Sequence, residues 1–514
     1  MGNISTSLKS QNEKGFTSFL NFIERVGNRL PHPFMLFVYL AAFMLCISWF
    51  VSLFEVSVIH PGSGEELKIK SLISGEGLQF MLTSMLENFT GFKPLGLVLT
   101  MMFGIGMAQR VGLFESVIKK TIIKAHKSII TYTVFFIGIM GNIASDAAFV
   151  IIPPLAALIF YSLGRHPIAG LAAGFASSGI GFTANILIAG TDALLSGIST
   201  EIAQTINPDV VVTPVDNWYF MSVSTFVLTI AGGLLTEKFI EPRLGSYTGN
   251  VEKEELDFKS TPREDKAIRN ALIGALIYIA LVCLVLFIPN SPLRNEDGGL
   301  IPSPFLDGII PIIFLFFVTV GTTFGVTIKK INKVSDVPEL MTDSIRDMSG
   351  YIVLVFAIAQ FIAYFNWSNL ATWIAVNSAN LLSSMNLTGM TVIIAFVLLT
   401  AILSLFIISG SALWALEAPI FLPMLMILNY HPAFIQVAYR IGESSTNMVT
   451  PLNPYFAILL AFMNEYDKKA GIGTLMSLMI PYTIVFLIIW IILLVVFGLL
   501  GIPVGPGVEM YLNK

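Results

Sequence analysis

Charged side chains are scarce in this chain. Only 12% of its 514 residues are charged, whereas a soluble domain carries about 25%. Hydrophobic residues make up 55% of the chain, and the mean hydropathy is +0.79. Apolar runs recur along its whole length, each near the roughly 20 residues that cross a bilayer as a helix. The composition excludes a soluble globular protein and predicts an all-α polytopic membrane protein.

Residues that build cofactor sites are also few. The two cysteines, Cys46 and Cys283, lie in apolar segments, so they form neither a disulfide framework nor a metal motif. The five histidines lie at segment ends or in loops, and no GxxxxGK[ST] motif indicates ATP-driven pumping. We expect no cofactor, no metal and no nucleic-acid partner. The polar N-terminal segment, 1–32, is predicted to be cytoplasmic without a cleavable signal peptide.

The apolar pattern predicts about nine transmembrane helices. They are placed at 33–55, 94–113, 167–190, 217–236, 269–289, 306–328, 351–367, 432–460 and 474–500. Two further apolar stretches, 129–163 and 390–428, are each interrupted by a cluster of small polar residues. Half-helices of about 14 residues are too short to cross the bilayer, so each stretch is predicted to be a re-entrant hairpin.

Positive charge predicts the orientation of these helices. With the N-terminus inside and both hairpins returning to their starting side, most lysines and arginines fall on the inner side. The stretch 237–268 then becomes a cytoplasmic loop, and the tail 501–514 lies outside. We therefore expect a multi-pass protein of the inner or plasma membrane, with the lipid bilayer as its partner.

An internal repeat is visible at a constant offset of 265 residues. The segments 145–167 and 410–432 each open with a small-polar tip, continue as a proline-containing helix and end in His-Pro. The repeats are predicted to span 33–236 and 306–500, with the span 269–289 linking them. Because this extra span changes the side on which the second repeat begins, the plan is an inverted-topology repeat, which is common in secondary transporters.

Each repeat supplies two irregular pieces of backbone at membrane depth, a hairpin tip and a polar break in the next span. The breaks are "SSGIGFTANI" at 177–186 and "ESSTNMVTP" at 443–451. Their free oxygens are suited to a small cation, and the helix N-termini at the tips are suited to an anion. The residues predicted to bind an ion are Asn142, Ser145, Asp146, Asn185, Ser409, Ser445, Thr446 and Asn447.

Two charged residues precede the second break. Arg440 and Glu443 lie on one helix face, and charges inside a membrane are costly unless they are paired or functional. Arg440 is suited to bidentate binding of a substrate carboxylate, and Glu443 is suited to carrying a coupling proton. The alternative is a structural ion pair between them. The coupling ion is either H⁺ or Na⁺, since embedded carboxylates suit the first and the oxygen-rich tips suit the second.

Two further residues are candidates for the site. Asp192 follows "NILIAGT" at the outer end of the span 167–190, where the alternative is an ordinary helix-end carboxylate. Trp414 lies one turn after Ser411 and is suited to stacking on an aromatic ligand, although tryptophan in membrane helices often only packs.

Several short motifs follow one another along the chain. They are "RVGNRLPHPF" (25–34), "SDAA" with "PP" (145–154), "GRHPIAGL" (164–171), "GFTANILI" (181–188), "TDALLSGISTE" (191–201), "DNWYFM" (216–221), "EPRLG" (241–245), "FNWSN" (365–369), "SGSALW" (409–414) and "GIPVGPG" (501–507). Through these motifs the sequence resembles the p-aminobenzoyl-glutamate transporter (AbgT) family from about residue 20 to the C-terminus.

The resemblance implies nine spans with two hairpins, a homodimer, and transport of p-aminobenzoyl-glutamate, which carries an aromatic ring and two carboxylates. Some members of the family are reported to export sulfonamides with the proton gradient. The substrate-binding positions that the family implies are Asp192, Ser411, Trp414, Pro432, Arg440 and Pro451. Glu443 is added to them, although it stands where relatives are expected to carry Asp.

We therefore predict a secondary active transporter of p-aminobenzoyl-glutamate or related aromatic dicarboxylates, working by ion-coupled alternating access. The alternatives are a proton-driven exporter of sulfonamide-type drugs and another dicarboxylate/sodium symporter. A channel is disfavoured by the paired hairpins and broken helices. An enzyme is not expected, because the sequence shows no nucleophile–base pattern.

Overall fold

The computed structural model describes residues 31–123, 126–144, 147–249, 261–301, 303–450, 452–468 and 470–512. Three predicted site residues, Ser145, Asp146 and Pro451, lie outside these ranges. So do most of the N-terminal segment 1–32 and part of the loop 237–268. The interpretations given for them remain predictions.

Helices dominate the described residues. Those of the first half are α1 (Pro33–Ser52), α2 (Gly75–Thr90), α3 (Lys93–Arg110), α4 (Leu113–Ile123), α5 (Ile130–Met140), α6 (Ala147–Ser162), α7 (Pro167–Ile180), α8 (Gly190–Ala203), α9 (Trp218–Leu235) and α10 (Glu241–Leu244). A short antiparallel hairpin, β1 (Ser57–Ile59) and β2 (Glu66–Lys68), follows α1 and pairs Ser57 with Lys68.

The second half continues in the same way. Its helices are α11 (Pro262–Phe287), α12 (Pro304–Asp307), α13 (Ile309–Ile328), α14 (Asp336–Asp347), α15 (Ser349–Trp367), α16 (Leu370–Ser384), α17 (Met390–Leu403), α18 (Gly410–Ile427), α19 (Pro432–Thr446), α20 (Tyr455–Tyr466) and α21 (Ile472–Leu500). Within the described ranges, eight helices are long and apolar enough to cross a membrane, or nine if one bent pair counts as a span. The predicted all-α polytopic class is confirmed.

The two interrupted stretches each form a pair of helices. In 129–163, α5 and α6 are joined through a short 3₁₀ turn at Gly141–Ala144. In 390–428, α17 has 14 residues and α18 has 18. Since α5, α6 and α17 are shorter than a full span, a re-entrant path suits them. Helix α18 alone reaches spanning length, so the path of the second hairpin remains a prediction.

The breaks predicted in two of the spans are present, but both spans continue beyond their predicted ends. The span 167–190 is α7 followed by non-helical residues 181–189 and then α8, which runs on to Ala203. The span 432–460 is likewise α19, a break at 447–454 and then α20. Each crossing is therefore longer than the apolar run suggested, because a non-helical segment divides it. The helix starts Pro167 and Pro432 agree with the 265-residue offset, whereas the inverted orientation remains a prediction.

The boundaries of the loop 237–268 and of the linking span 269–289 also require correction. A π-helical segment, Thr236–Ile240, carries α9 into α10, so the first part of the stretch is helical. Helix α11 already begins at Pro262, because Thr261 and Glu264 form a reciprocal capping box with N···O distances of 3.2 and 2.6 Å. The high charge of this first turn made it resemble a loop.

Segments that are predicted to lie on the same side of the membrane meet at the same end of the helix bundle. At one end, Arg165 pairs with Glu241, and Lys120 lies 2.8 Å from Asp265. At the other end, the C-terminal segment meets the starts of α9 and α19, since Phe220 N donates to Val504 O at 3.0 Å and His431 N donates to Met510 O at 2.9 Å. The contacts agree with the predicted order of crossings, while the side that faces the cytoplasm remains a prediction.

Close packing fixes the first hairpin against the first broken helix. A Cβ atom on Gly170 would lie 2.5 Å from Ala156 O, and one on Gly174 would lie 2.7 Å from Pro153 Cα. Helices α6 and α7 therefore approach with backbone against backbone, as small residues at four-residue spacing allow inside membranes. This contact holds the tip of the hairpin close to the break at 181–189.

We predict that Gly174→Val lowers the unfolding free energy in detergent by about 1–3 kcal/mol, because the added atoms overlap backbone that cannot give way. Gly473→Val is the matched control, since its Cβ would meet no atom within 4 Å. Thermal unfolding of both purified variants measures the difference. Equal melting temperatures for the two variants would contradict the proposed close packing.

Candidate functional site

The two helix breaks and the tip of the second hairpin enclose a cavity of about 780 Å³. This volume lies in the range of small-molecule sites, about 300–1,000 Å³. Both repeats contribute to its wall. The residues that line it include Phe149, Phe182, Thr183, Thr191, Ser409, Gly410, Ser411, Tyr439, Arg440, Glu443, Asn447, Asn453 and Tyr455.

A buried ion pair joins the two repeats at this cavity. Arg440 Nη2 lies 2.6 Å from Asp192 Oδ1, and the two side chains are only 2% and 1% exposed. Arg440 Nη2 also donates to Phe182 O at 2.7 Å, and Asp192 Oδ2 accepts from Ala189 N at 2.7 Å. Asp192 was predicted at the outer end of a span. The structure places it in the first turn of α8, directly after the first break. The ion pair of Arg440 is with Asp192 and not with Glu443.

The remaining nitrogens of Arg440 lack partners. Nε and Nη1 are buried and form no hydrogen bond within the described part of the chain. A buried unsatisfied donor costs about 1–3 kcal/mol, so its presence beside a cavity indicates a place for a ligand acceptor. A bidentate carboxylate needs Nη2 together with one of these nitrogens. Nη2 is already engaged by Asp192 and Phe182, so in this arrangement Arg440 has no free bidentate edge.

Hydroxyl groups connect Glu443 to the first break. Glu443 Oε2 accepts from Ser444 Oγ at 2.9 Å, and Ser444 Oγ lies 2.5 Å from Thr183 Oγ1. Thr183 Oγ1 also lies 2.9 Å from Arg440 O. Glu443 is thus held at the cavity wall by a chain of contacts that crosses from one repeat to the other. Thr183 and Ser444 were not singled out from the sequence, although both lie within the predicted breaks.

The predicted ion ligands of the second repeat divide into two groups. Ser409 and Asn447 line the cavity: the Ser409 hydroxyl lies 3.1 Å from that of Ser411, which is a predicted substrate-binding residue, and Asn447 donates to Gly179 O at 3.3 Å. Ser445 and Thr446 instead donate to carbonyls of their own helix, at 2.6 and 3.0 Å. The sequence marked these four for their polar side chains, but which of them face the cavity depends on how the helices pack.

Two predicted ion ligands of the first repeat are among the described residues: Asn142 follows α5, and Asn185 lies in the break after α7. Asn142 is buried, and its Cβ would be 2.8 Å from a Cβ on Gly181. Asn185 Nδ2 lies 3.5 Å from Ile139 O, and Asn185 Oδ1 accepts from Leu187 N at 2.9 Å. The Asn185 amide therefore stabilises the irregular backbone of the first break. Within the described residues, no group of three His, Cys, Asp or Glu side chains is arranged for a metal.

The aromatic wall of the cavity differs from the one that the sequence suggested. Trp414 is fully buried behind Tyr439, with ring centroids 4.5 Å apart, and its Nε1 donates to Ser199 Oγ at 3.1 Å. Phe149 and Tyr455 line the cavity and stack on each other, with centroids 4.8 Å apart and planes 3° from parallel. Their position immediately after a tip and a break was the signal that would have revealed them.

Pro432 also lies apart from the residues named for the cavity wall. It is the first residue of α19, where His431 caps the helix by accepting from Ala433 N at 3.2 Å. Proline is favoured at this position because the first turn of a helix leaves its N–H groups unpaired. The structure therefore places Pro432 where it fixes the start of α19.

Comparison with known proteins agrees with this architecture. The family model described as the AbgT putative transporter family matches residues 18–512. The chain belongs to the AbgT family. It is 43% identical over 504 residues to the p-aminobenzoyl-glutamate transport protein of Escherichia coli (strain K12), covering 98% of each chain. This AbgT-family protein is thus a membrane transporter and not an enzyme, as the sequence predicted.

Two solved structures of transporters share its fold. The YdaH transporter of Alcanivorax borkumensis is 36% identical with a TM-score of 0.88, covering 93% of this chain and 100% of its own. MtrF of Neisseria gonorrhoeae, described as illuminating a class of antimetabolite efflux pumps, is 40% identical with a TM-score of 0.90, covering 95% of this chain and 100% of its own.

We predict that Asp192→Asn lowers the unfolding free energy by about 3–5 kcal/mol, because it leaves the buried Arg440 charge without a counter-charge. Asp347→Asn, which removes the carboxylate from the exposed pair with Arg110, is the control and is expected to cost no more than about 1 kcal/mol. Denaturant unfolding in detergent measures both values. The double variant Asp192→Asn/Arg440→Met should regain stability, and a further loss there would contradict this role for the pair.

Proposed function

We propose that this AbgT-family transporter moves p-aminobenzoyl-glutamate or a related aromatic dicarboxylate through the cavity between the two helix breaks. The observation that carries the proposal is Arg440, a buried cation at an aromatic-lined cavity with two nitrogens unpaired among the described residues. The name of the E. coli relative, which shares 43% of its residues over nearly the whole chain, supports this choice of substrate.

The cavity matches the parts of such a substrate. One carboxylate is suited to a free nitrogen of Arg440. The second is suited to the N-terminus of α18, where Ser409, Gly410 and Ser411 line the cavity and the helix dipole favours negative charge. The aromatic ring is suited to the wall formed by Phe149, Phe182 and Tyr455.

We further propose that substrate movement is coupled to an ion and occurs by alternating access. Two broken helices that meet at one cavity support this mechanism. Glu443 is suited to a proton, and the oxygens of Ser409, Ser411 and Asn447 are suited to sodium, so either gradient is a candidate. Homodimer formation and a cytoplasmic N-terminus belong to the same proposal, the second supported by the distribution of positive charge.

The second candidate function is proton-driven export of sulfonamide-type antimetabolites. The likeness to MtrF favours it, because that structure is described as one of a class of antimetabolite efflux pumps. The same cavity serves both functions, since an aromatic sulfonamide also presents a ring and polar oxygens. The direction of net flux under an imposed gradient distinguishes the two.

Transport by protein reconstituted in liposomes tests the proposed function. We expect labelled p-aminobenzoyl-glutamate to accumulate under an imposed pH or sodium gradient. Arg440→Ala should reduce uptake about tenfold or more, which corresponds to the loss of one hydrogen bond to a charged group. Arg346→Ala is the control, because Arg346 is 75% exposed on α14.

The substrate class is tested by competition in the same assay. Unlabelled p-aminobenzoyl-glutamate should compete more strongly than glutamate, which lacks the ring, or p-aminobenzoate, which lacks the glutamate carboxylates. Absence of both accumulation and exchange in folded protein would reject the proposed import. Sulfonamide efflux from loaded vesicles would then be the measurement that supports the second candidate.

A further inference from the structure

A buried carboxyl group lies behind the cavity and has no part in the function proposed above. Glu417 is on α18, one turn beyond Trp414, and is only 2% exposed. Its one recorded hydrogen bond comes from Thr400 Oγ1 of α17 to Oε2, at 2.6 Å. Within the described part of the chain, Oε1 has no partner and no cation forms an ion pair with the group.

The charged form of Glu417 is disfavoured in this environment. An ionised carboxylate inside a membrane protein needs a counter-charge, several hydrogen bonds or water. Glu417 has a single hydroxyl within hydrogen-bonding distance. A protonated carboxyl is neutral and has one O–H donor, so one hydroxyl partner suits it much better. The arrangement in which Thr400 contacts Glu417 therefore favours the protonated carboxyl.

The neighbouring helices offer few groups that oppose this assignment. Helices α16 and α17 carry no titratable residue. Helix α8 carries Asp192, whose charge is matched by Arg440, and Glu201, whose neighbouring charge is Lys93. The titratable groups of α19 are Tyr439, Arg440 and Glu443, and the Tyr439 phenol interacts electrostatically with both Glu443 and Glu417.

The helices that surround Glu417 also contact α19, which lines the cavity. The Tyr439 hydroxyl donates to Gly410 O at the tip of α18, and a Cβ on Gly410 would lie 3.1 Å from Glu443 Oε1. Thr400, the partner of Glu417, packs against α19 so closely that a Cβ on Gly442 would lie 2.8 Å from Thr400 Cβ. A movement of α18 away from α17 and α19 would break the Thr400 contact and admit water.

We propose that Glu417 is a proton-binding site of the transport cycle. It holds a proton while α18 is packed against α17 and α19, and it releases that proton to water when the second hairpin moves. The O–H bond of the carboxyl breaks, the bonding electrons stay on the carboxylate, and water accepts the proton. This inference rests on the proposed transport function and assigns a residue to its ion coupling.

The test uses Glu417→Gln, which mimics the protonated carboxyl but cannot release a proton. The full chain is reconstituted in liposomes with labelled p-aminobenzoyl-glutamate, and two quantities are measured: exchange at equal pH, and accumulation under a pH gradient imposed in each direction. For one proton per substrate, wild-type accumulation should change about tenfold per pH unit. We expect Glu417→Gln to exchange at near the wild-type rate and to lose the response to the gradient.

Glu465→Gln is the matched control, because Glu465 is an exposed glutamate at the end of α20. It should behave as the wild type does in both assays. Thr400→Val is the second test and protects against a folding defect in Glu417→Gln, since it keeps the carboxyl and removes its partner. We expect it to shift the pH midpoint of exchange.

Three results would overturn the proposal for Glu417. They are a wild-type gradient response in Glu417→Gln, parallel loss of exchange and accumulation in a folded Glu417→Gln protein, and an unchanged pH midpoint in Thr400→Val. If wild-type accumulation follows sodium alone, the proposal for Glu417 fails while the transport function stands. If the wild type neither accumulates nor exchanges the substrate, the proposed function fails, and the proposal for Glu417 fails with it.

Discussion

The ion pair between Arg440 and Asp192 is the interaction on which the rest of the site depends. It joins α19 of the second half to α8 of the first, and it lies where the two helix breaks meet. Neither charge is tolerable alone at this depth, because each would be buried without compensation. The pair therefore requires both halves to be folded and in contact. It also fixes the guanidinium group at the cavity, with Nε and Nη1 unpaired among the described residues.

The same constraint explains the polar contacts around the pair. Broken helices release backbone groups that the bilayer cannot satisfy, so they are found where protein surrounds them. Phe182 O and Gly179 O at the first break are bound by Arg440 and Asn447 of the second repeat, and Thr183 of the first break binds Arg440 O on α19 in return. Reciprocal satisfaction makes the cavity a property of the interface between repeats. A movement that separates the repeats must exchange these bonds for water or ligand.

The carboxyl groups of Glu417 on α18 and Glu443 on α19 have different surroundings. Glu443 lines the cavity and accepts from Ser444. Glu417 instead accepts from Thr400 between helices and is not among the residues that line the cavity. Glu417 is buried with one hydroxyl partner and no counter-charge among the described residues, whereas Glu443 borders a cavity. The two carboxyl groups are therefore in different electrostatic environments. Helices α18 and α19 thus place one carboxyl group at the cavity wall and another between packed helices.

The sequence by itself determined the membrane class, the positions of most spans, the paired interruptions and the importance of Arg440, because hydropathy and intramembrane charge are local properties of the chain. It did not determine that Asp192 is the partner of Arg440, since the two are 248 positions apart and nearer Glu443 was the more obvious choice. Nor did it show that Ser411 and Phe149 line the cavity whereas Thr446 and Trp414 do not. Which side of a helix faces the cavity depends on how α8, α18 and α19 pack, and that is decided by contacts between distant segments. The tertiary structure alone therefore assembled the cavity and left Glu417 enclosed behind it.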